Sequence, residues 1–233
     1  MISAMRPAKR PSRIGLFGGT FNPIHCAHLR AAEEVREAFD LDRVLFVPSY
    51  LPPLKRRELA DPQMRLEMVR LAVSKNPAFE VSDVEFKKGA SYSLHTVRAV
   101  KAELSANAET FFILGLDAFL DIDKWHMPEE LVYETHFIVV VRPGWVMADV
   151  LKSPYLENSA GQKLEKAAAE GKGALSLTLT GGKNLHVLNI TQMDVSATRI
   201  RELLRNGKSV KYLLPENVES VIITNGLYRN RPQ

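Results

Sequence analysis

The sequence predicts an α/β fold, a doubly wound parallel sheet with a C-terminal helical segment, on three observations. Short β-branched or aromatic runs alternate with amphipathic stretches along most of the chain, the pattern of successive βαβ units. Several of those runs end at glycine or proline, as strands do where the chain must turn. The chain is also long enough for a core: 233 residues, 45% of them hydrophobic and 25% charged. A chain of that size buries roughly 70–75% of its unfolded surface without disulfides or structural metal.

Taken in order, residues 13–18 form a first strand that runs into glycines, and 28–39 a helix with Leu29, Ala32, Val35 and Phe39 on one face. Residues 44–47 are a buried strand stopped by Pro48. A loop rich in proline and charge (Pro52, Pro53, Lys55, Arg56, Arg57) leads to a helix over 63–74. A strand over 79–84, a helix over 94–104 and a strand over 111–114 ending at Gly115 follow. The run 137–141 is another strand, closed by Arg142-Pro143-Gly144. Beyond it the pattern weakens: 151–174 reads as a helix and a loop carrying Gly171 and Gly173. Gly181 and Gly182 turn the chain into a strand over 186–190, and helices over 197–205 and 216–225 close it. No repeat or linker interrupts this order, so one domain is expected over 13–233, with 191–233 its helical part.

Charge and cysteine content narrow the function. Residues 1–12 carry Arg6, Lys9 and Arg10 but no acid, since none precedes Glu33, and Pro7 and Pro11 oppose a helix there. They read as a disordered basic tail, and without an apolar h-region they are not a secretory signal. One cysteine, Cys26, excludes an internal disulfide framework and a cysteine-rich zinc module, and it fits a reducing cytoplasm. The longest apolar run, 137–141, is five residues, far short of the roughly 20 that span a bilayer. The 31 basic against 27 acidic residues suit phosphorylated ligands, and their interspersion beyond the tail argues against a non-catalytic nucleic-acid-binding protein.

The densest chemistry lies in Gly15-Leu16-Phe17-Gly18-Gly19-Thr20-Phe21-Asn22-Pro23-Ile24-His25-Cys26-Ala27-His28, at the junction of the first strand and first helix. A doubly wound fold binds its ligand there. Gly18 and Gly19 permit close backbone approach, and a helix start favours phosphate. His25 and His28, three apart, can face one anion. The stretch is neither a Walker loop nor the glycine fingerprint of dinucleotide binders, and no His-Glu-x-x-His accompanies it. Other positions carry two readings each. Ser196 and Thr198 begin a helix, as caps, as phosphate ligands, or both. Asp117 after Gly115 suits a ribose or a cap, and Trp125 suits a stacked ring or the core.

This pattern resembles the nucleotidyltransferase superfamily with a His/Thr-x-Gly-His motif after its first strand, and more narrowly the bacterial nicotinate-nucleotide adenylyltransferases. That family carries Gly-Gly-Thr-Phe-Asp-Pro-x-His-x-Gly-His; here Asn22 stands for its Asp and Ala27 for its Gly. Val47-Pro48-Ser49-Tyr50-Leu51-Pro52-Pro53-Leu54-Lys55 resembles its Val-Pro-x-x-x-Pro-Pro-His-Lys, with Leu54 in place of the His. Arg65 and Met68 fall on the helix after that loop. Gly89-Ala90-Ser91-Tyr92-Ser93-Leu94-His95-Thr96 is similar to its Gly-x-Ser-Tyr-Thr-x-Asp-Thr, His95 departing from the Asp. Gly115-Leu116-Asp117 with Trp125, and Val195-Ser196-Ala197-Thr198-Arg199-Ile200-Arg201, complete six matches in order over residues 13–228.

The resemblance implies a Rossmann-like fold and transfer of AMP from ATP to nicotinate mononucleotide. Nicotinamide mononucleotide and phosphopantetheine are the alternative acceptors. It implies His28 and His25 as catalytic. ATP would meet Phe17, Gly18, Gly19, Thr20, Phe21, His25, His28, Gly115, Asp117, Ser196, Thr198 and Arg201. The mononucleotide would meet Lys55, Ser93, Thr96 and Trp125. It implies no protein-held metal, Mg²⁺ arriving on the ATP phosphates. It leaves a homo-oligomer open, with no membrane or nucleic-acid partner.

Overall fold

A computed structural model of the chain describes residues 10–52, 58–88 and 91–229. Lys55 and the first nine residues lie outside that range. The Ser12 carbonyl, just before the first strand, accepts from the Glu109 N–H at 2.8 Å.

The first βαβ unit is β1 (Arg13–Gly19), α1 (Cys26–Ala38) and β2 (Arg43–Pro48). α2 (Pro62–Val73) follows, begun by Asp61, whose carboxylate accepts from the Gln63 and Met64 N–H groups, and by Pro62 at the first helical position. β3 (Phe79–Val81) is shorter than the expected 79–84. The Ser82 N–H makes a last ladder bond to the Phe46 carbonyl at 2.9 Å. The Ser82 hydroxyl then accepts from the Val84 N–H at 3.4 Å, and a Lys87–Asp83 pair at 3.0 Å supports a short helix, α3 (Val84–Lys88).

α4 (Ser93–Glu103) leads to β4 (Glu109–Gly115), α5 (Leu116–Leu120), a 3₁₀ turn (Ile122–Lys124), α6 (Pro128–Glu134) and β5 (His136–Val141). A second 3₁₀ turn (Met147–Lys152) and α7 (Ala160–Ala169) fill the segment where the sequence pattern weakened. β6 (Ala174–Thr178), over residues for which the sequence pattern predicts no element, is a strand because Leu175 and Leu177 alternate inward and pair antiparallel with β7 (Asn184–Asn189). α8 (Ala197–Arg205) and α9 (Glu216–Thr224) close the chain, α9 packing on α2.

The sheet order is β3-β2-β1-β4-β5-β7-β6, with every pairing parallel except β6 with β7. Side-chain alternation divides the core. Leu16, Leu45, Phe112 and Phe137 pack on one face with α4; Phe17, Phe46, Phe111 and Ile138 pack on the other with α1, α2, α8 and α9. No helix among the described residues is long and apolar enough to cross a membrane. The strand order reverses between β1 and β4, so their carboxyl ends, Gly18–Gly19 and Gly115, open side by side.

Candidate active site

That crevice is lined from β1 outward. A Cβ at Gly18 would lie 3.1 Å from the Phe112 ring, and one at Gly19 would lie 3.0 Å from the ring of Phe21. The room above Gly19 therefore belongs to Phe21, which folds back with φ of 46° and is buried. Phe17 is buried too, its ring 5.8 Å from that of Phe21 and edge-on to it, so both phenylalanines shape the loop from beneath.

His25 caps α1 in an extended conformation and is 5% exposed. Its ring stacks on that of His28 with centroids 3.6 Å apart. The backbone N–H of His25 donates to His28 Nδ1 at 3.2 Å, which assigns the His28 proton to Nε2. The edge of the Phe21 ring, 5.2 Å away, flanks His28. Burial, and after it the positive charge of Arg142, brings His25 down from 6.5 to about 4, so it is neutral near pH 7. Its Nδ1 is buried without a hydrogen-bond partner among the described residues. An unpaired buried nitrogen of this kind fits a ligand oxygen that either accepts from it or donates to it.

At the end of β4, the Arg142 guanidinium and the Asp117 carboxylate crowd over Gly115. A Cβ there would come within 2.6 Å of Arg142 Nη2, so any side chain at this position would push the ends of Arg142 and Asp117 aside. Asp117 itself is exposed in the first turn of α5. Arg142, at the carboxyl end of β5, had no motif to announce it; its position follows from the parallel pairing of β4 with β5.

The third wall is the start of α8. Ser196 is its N-cap, the hydroxyl accepting from the Arg199 N–H at 3.2 Å. Arg201, one turn in, donates from Nη1 to the Asn22 carbonyl at 2.8 Å and from Nη2 to the Thr198 hydroxyl at 3.4 Å. Its Nε is buried with no hydrogen-bond partner among the described residues, and forms an ion pair with Glu58 Oε2 at 3.9 Å. The C-terminal motif is thus tied to the first loop across 179 residues of sequence.

Asn22 is the knot of that loop. Its Nδ2 donates to the Glu58 carbonyl at 2.8 Å, and its Oδ1 accepts from the Ala60 N–H at 3.0 Å and the Tyr228 hydroxyl at 2.8 Å. A carboxylate could not donate the first of these bonds, which gives the departure from Asp a physical content. Burial raises Tyr228 above the ordinary phenol range, so it stays a donor.

On the opposite side, Trp125 follows the 3₁₀ turn with its indole edge-on to Phe112, 6.2 Å between centroids. Phe112 thus bridges Trp125 and Gly18. Ser93 opens α4. Thr96 is buried, and its hydroxyl donates to Glu85 Oε1 at 2.7 Å, committed to a carboxylate inside the protein. Thr20 presents its carbonyl to Arg65 at 2.8 Å. Arg65, Glu85, Arg142 and Tyr228 are the polar groups that sequence reasoning did not single out for function. Among the described residues, no three His, Cys, Asp or Glu side chains gather to hold a metal ion.

Comparison with known proteins agrees with this architecture. The cytidylyltransferase-like family model matches residues 16–203. A probable nicotinate-nucleotide adenylyltransferase of Geotalea daltonii is 44% identical over 94% of this chain and 99% of its own length. One from Moorella thermoacetica is 38% identical over 97% and 96%. The solved Plasmodium falciparum nicotinic acid mononucleotide adenylyltransferase complexed with NaAD superposes with a TM-score of 0.70 at 20% identity, covering 93% of this chain and 97% of that one, a likeness of fold. This chain is accordingly a member of the cytidylyltransferase-like family, in the branch of the nicotinate-nucleotide adenylyltransferases.

Proposed function

We propose that this chain transfers the AMP moiety of ATP to nicotinate mononucleotide, giving nicotinate adenine dinucleotide and pyrophosphate, in the NAD biosynthesis of the cytoplasm. A phosphate oxygen of the mononucleotide attacks the α-phosphorus of ATP. The new P–O bond forms as the bond to the bridging oxygen breaks, and pyrophosphate leaves with that electron pair. The nucleophile is anionic near neutral pH, so neither a strong base nor a covalent intermediate is required. The demand is on alignment of two mutually repelling phosphates and on charge developing at the leaving group.

The single observation that carries the reading is the His25–His28 stack at the switch point, with His25 Nδ1 buried and without a partner among the described residues and the His28 ring set as its Nε2–H tautomer. In this reading His28 donates from Nε2 to the α-phosphate. His25, held neutral by burial, adds a hydrogen bond rather than a charge. Positive charge comes instead from Arg201, Arg142 and Lys55. Ser196, Thr198 and Arg201 take the β- and γ-phosphates, and Asp117 a ribose hydroxyl. The backbone of residues 17–21 and Gly115 lines the ATP side. Lys55 and Ser93 take the mononucleotide, with the Trp125 indole stacked on the pyridine ring; Thr96 serves that side through Glu85. Magnesium enters as part of the substrate on ATP phosphate oxygens and water, and supplies charge neutralisation there.

Pyrophosphate release tests the assignment, with ATP and each of nicotinate mononucleotide, nicotinamide mononucleotide and phosphopantetheine. The acid should be preferred to the amide by at least ~10²-fold in kcat/KM, because donors facing a carboxylate are left unpaired by an amide NH₂. Equal efficiency with acid and amide would remove the acid-specific part. Turnover of phosphopantetheine alone would replace the acceptor altogether.

A further inference from the structure

Two charged side chains in the core touch no substrate in the mechanism above. Arg65 is fully buried, and Glu85 is 7% exposed. Arg65 donates from Nη1 to the carbonyls of Thr20 (2.8 Å) and Ser49 (2.5 Å), from Nη2 to that of Tyr50 (2.8 Å), and from Nε to that of Ala60 (3.2 Å). Glu85 accepts at Oε2 from the Tyr50 N–H (3.2 Å) and at Oε1 from the Thr96 hydroxyl (2.7 Å). Ser91 favours the charged form of Glu85, and its hydroxyl accepts from the Leu51 N–H at 3.0 Å.

One peptide group, between Ser49 and Tyr50, is therefore gripped at both ends by opposite charges: its carbonyl by the guanidinium, its N–H by the carboxylate. The Ser49 N–H, one peptide earlier, donates to the Gly19 carbonyl at 2.9 Å. A continuous hydrogen-bonded chain thus runs from the loop after β1, through the loop after β2, to the start of α4. Burying two charges is costly unless both are paired and saturated, and here Arg65 is spent on loop backbone and Glu85 on the Tyr50 N–H and the Thr96 hydroxyl.

The geometry points to Arg65 and Glu85 as positioning residues, a buried clamp that sets the loop after β2 in register between the ATP side of the site and the start of α4. This deepens the proposed activity and rests on it. Neither residue touches substrate. The clamp acts through the Tyr50 and Leu51 backbone, on the mononucleotide side.

Two readouts on the full chain test it: amide hydrogen exchange at Tyr50 and Leu51 without substrate, and steady-state KM for nicotinate mononucleotide and for ATP. Glu85→Ala removes both acceptors. It should speed exchange at Tyr50 and raise KM for the mononucleotide, each at least ~10-fold, the scale of one lost hydrogen bond to a charged group. KM for ATP should stay within ~2-fold, since the Thr20 contact to Arg65 remains. Glu85→Gln should rescue both, its Oε1 accepting from Tyr50 while its Nε2 donates to the Thr96 hydroxyl, which can turn to the Tyr92 carbonyl. Should Glu85→Ala not fold, Ser91→Ala carries the test, freeing the Leu51 amide and raising the mononucleotide KM by ~3-fold, a fraction of the effect of losing the charged acceptor.

Unchanged exchange at Tyr50, both KM values rising together, or a Gln variant as impaired as the Ala variant would each overturn the clamp. A wild-type chain that turns over neither mononucleotide would refute the activity itself. The positioning role would fall with it, whatever the exchange data show.

Discussion

At the scale of single residues, the backbone contact from His25 to His28 Nδ1 decides which ring nitrogen can serve a phosphate. His28→Ala should leave the circular dichroism spectrum unchanged and lower kcat by at least ~10², the usual loss on removing one preorganised transition-state donor. Near-normal turnover would take His28 out of the mechanism. Arg201→Ala should raise KM for ATP more than KM for the mononucleotide, and less so at high salt, where a partly exposed phosphate contact is screened. A shift confined to the mononucleotide constant would put the C-terminal motif on the other substrate. Arg142→Ala removes the smaller of two causes that depress His25, so an NMR titration should find that residue raised above about 4 yet still below 6.5. The paired histidines were legible in the sequence because strand end, loop and helix start compress their chemistry into fourteen consecutive residues. Asn22, by contrast, meets Tyr228 across 206 residues, and Arg142 reaches the site through strand pairing. Nothing local could announce either.

Among elements, the readable ones are those whose burial is periodic. The limits of α8 match the expected 197–205, and β1, β2, β4 and β5 lie where their apolar runs predicted. β3 fell short because Ser82 and Asp83 offer local hydrogen bonds and a charge pair that favour α3 over more ladder. β6 was hidden because its two inward leucines mean little without β7 opposite them. That hairpin carries an acid-sensitive contact: Ser176 Oγ and His186 Nδ1 are 2.8 Å apart in cross-strand register. Burial, then the charges of His136 and Arg13, depresses His186 from 6.5 to about 4. The unfolded chain therefore binds more protons than the folded one between those values, and stability is lost as pH falls through that window. The thermal midpoint should drop from pH 7 to pH 4.5, and His186→Gln should flatten part of that drop. An unchanged slope in the variant would acquit the hairpin.

For the molecule as a whole, one sheet runs from β3 to β6, with core on both faces, and α8 and α9 belong to one of those cores through Ile200, Leu204, Val218 and Ile222. We propose residues 13–233 as one folding unit. Urea unfolding should then give a single transition, coincident by far-UV circular dichroism and tryptophan fluorescence. The doubly wound class was legible because alternation of strand and helix leaves few topologies open. The switch point that makes the crevice was legible only as a consequence of that class, since strand order is a property of the assembled sheet. In the reaction proposed above, the two substrates would be drawn together there by parts of the chain as distant as Gly18 and Arg201. Adenylyl transfer is read most directly from the fate of one phosphorus atom. ATP labelled at the α-phosphorus, incubated with nicotinate mononucleotide and the full chain, should pass its label into nicotinate adenine dinucleotide, while label at the γ-position should appear in pyrophosphate. Release of γ-label as inorganic phosphate, or α-label that never enters the dinucleotide, would contradict adenylyl transfer.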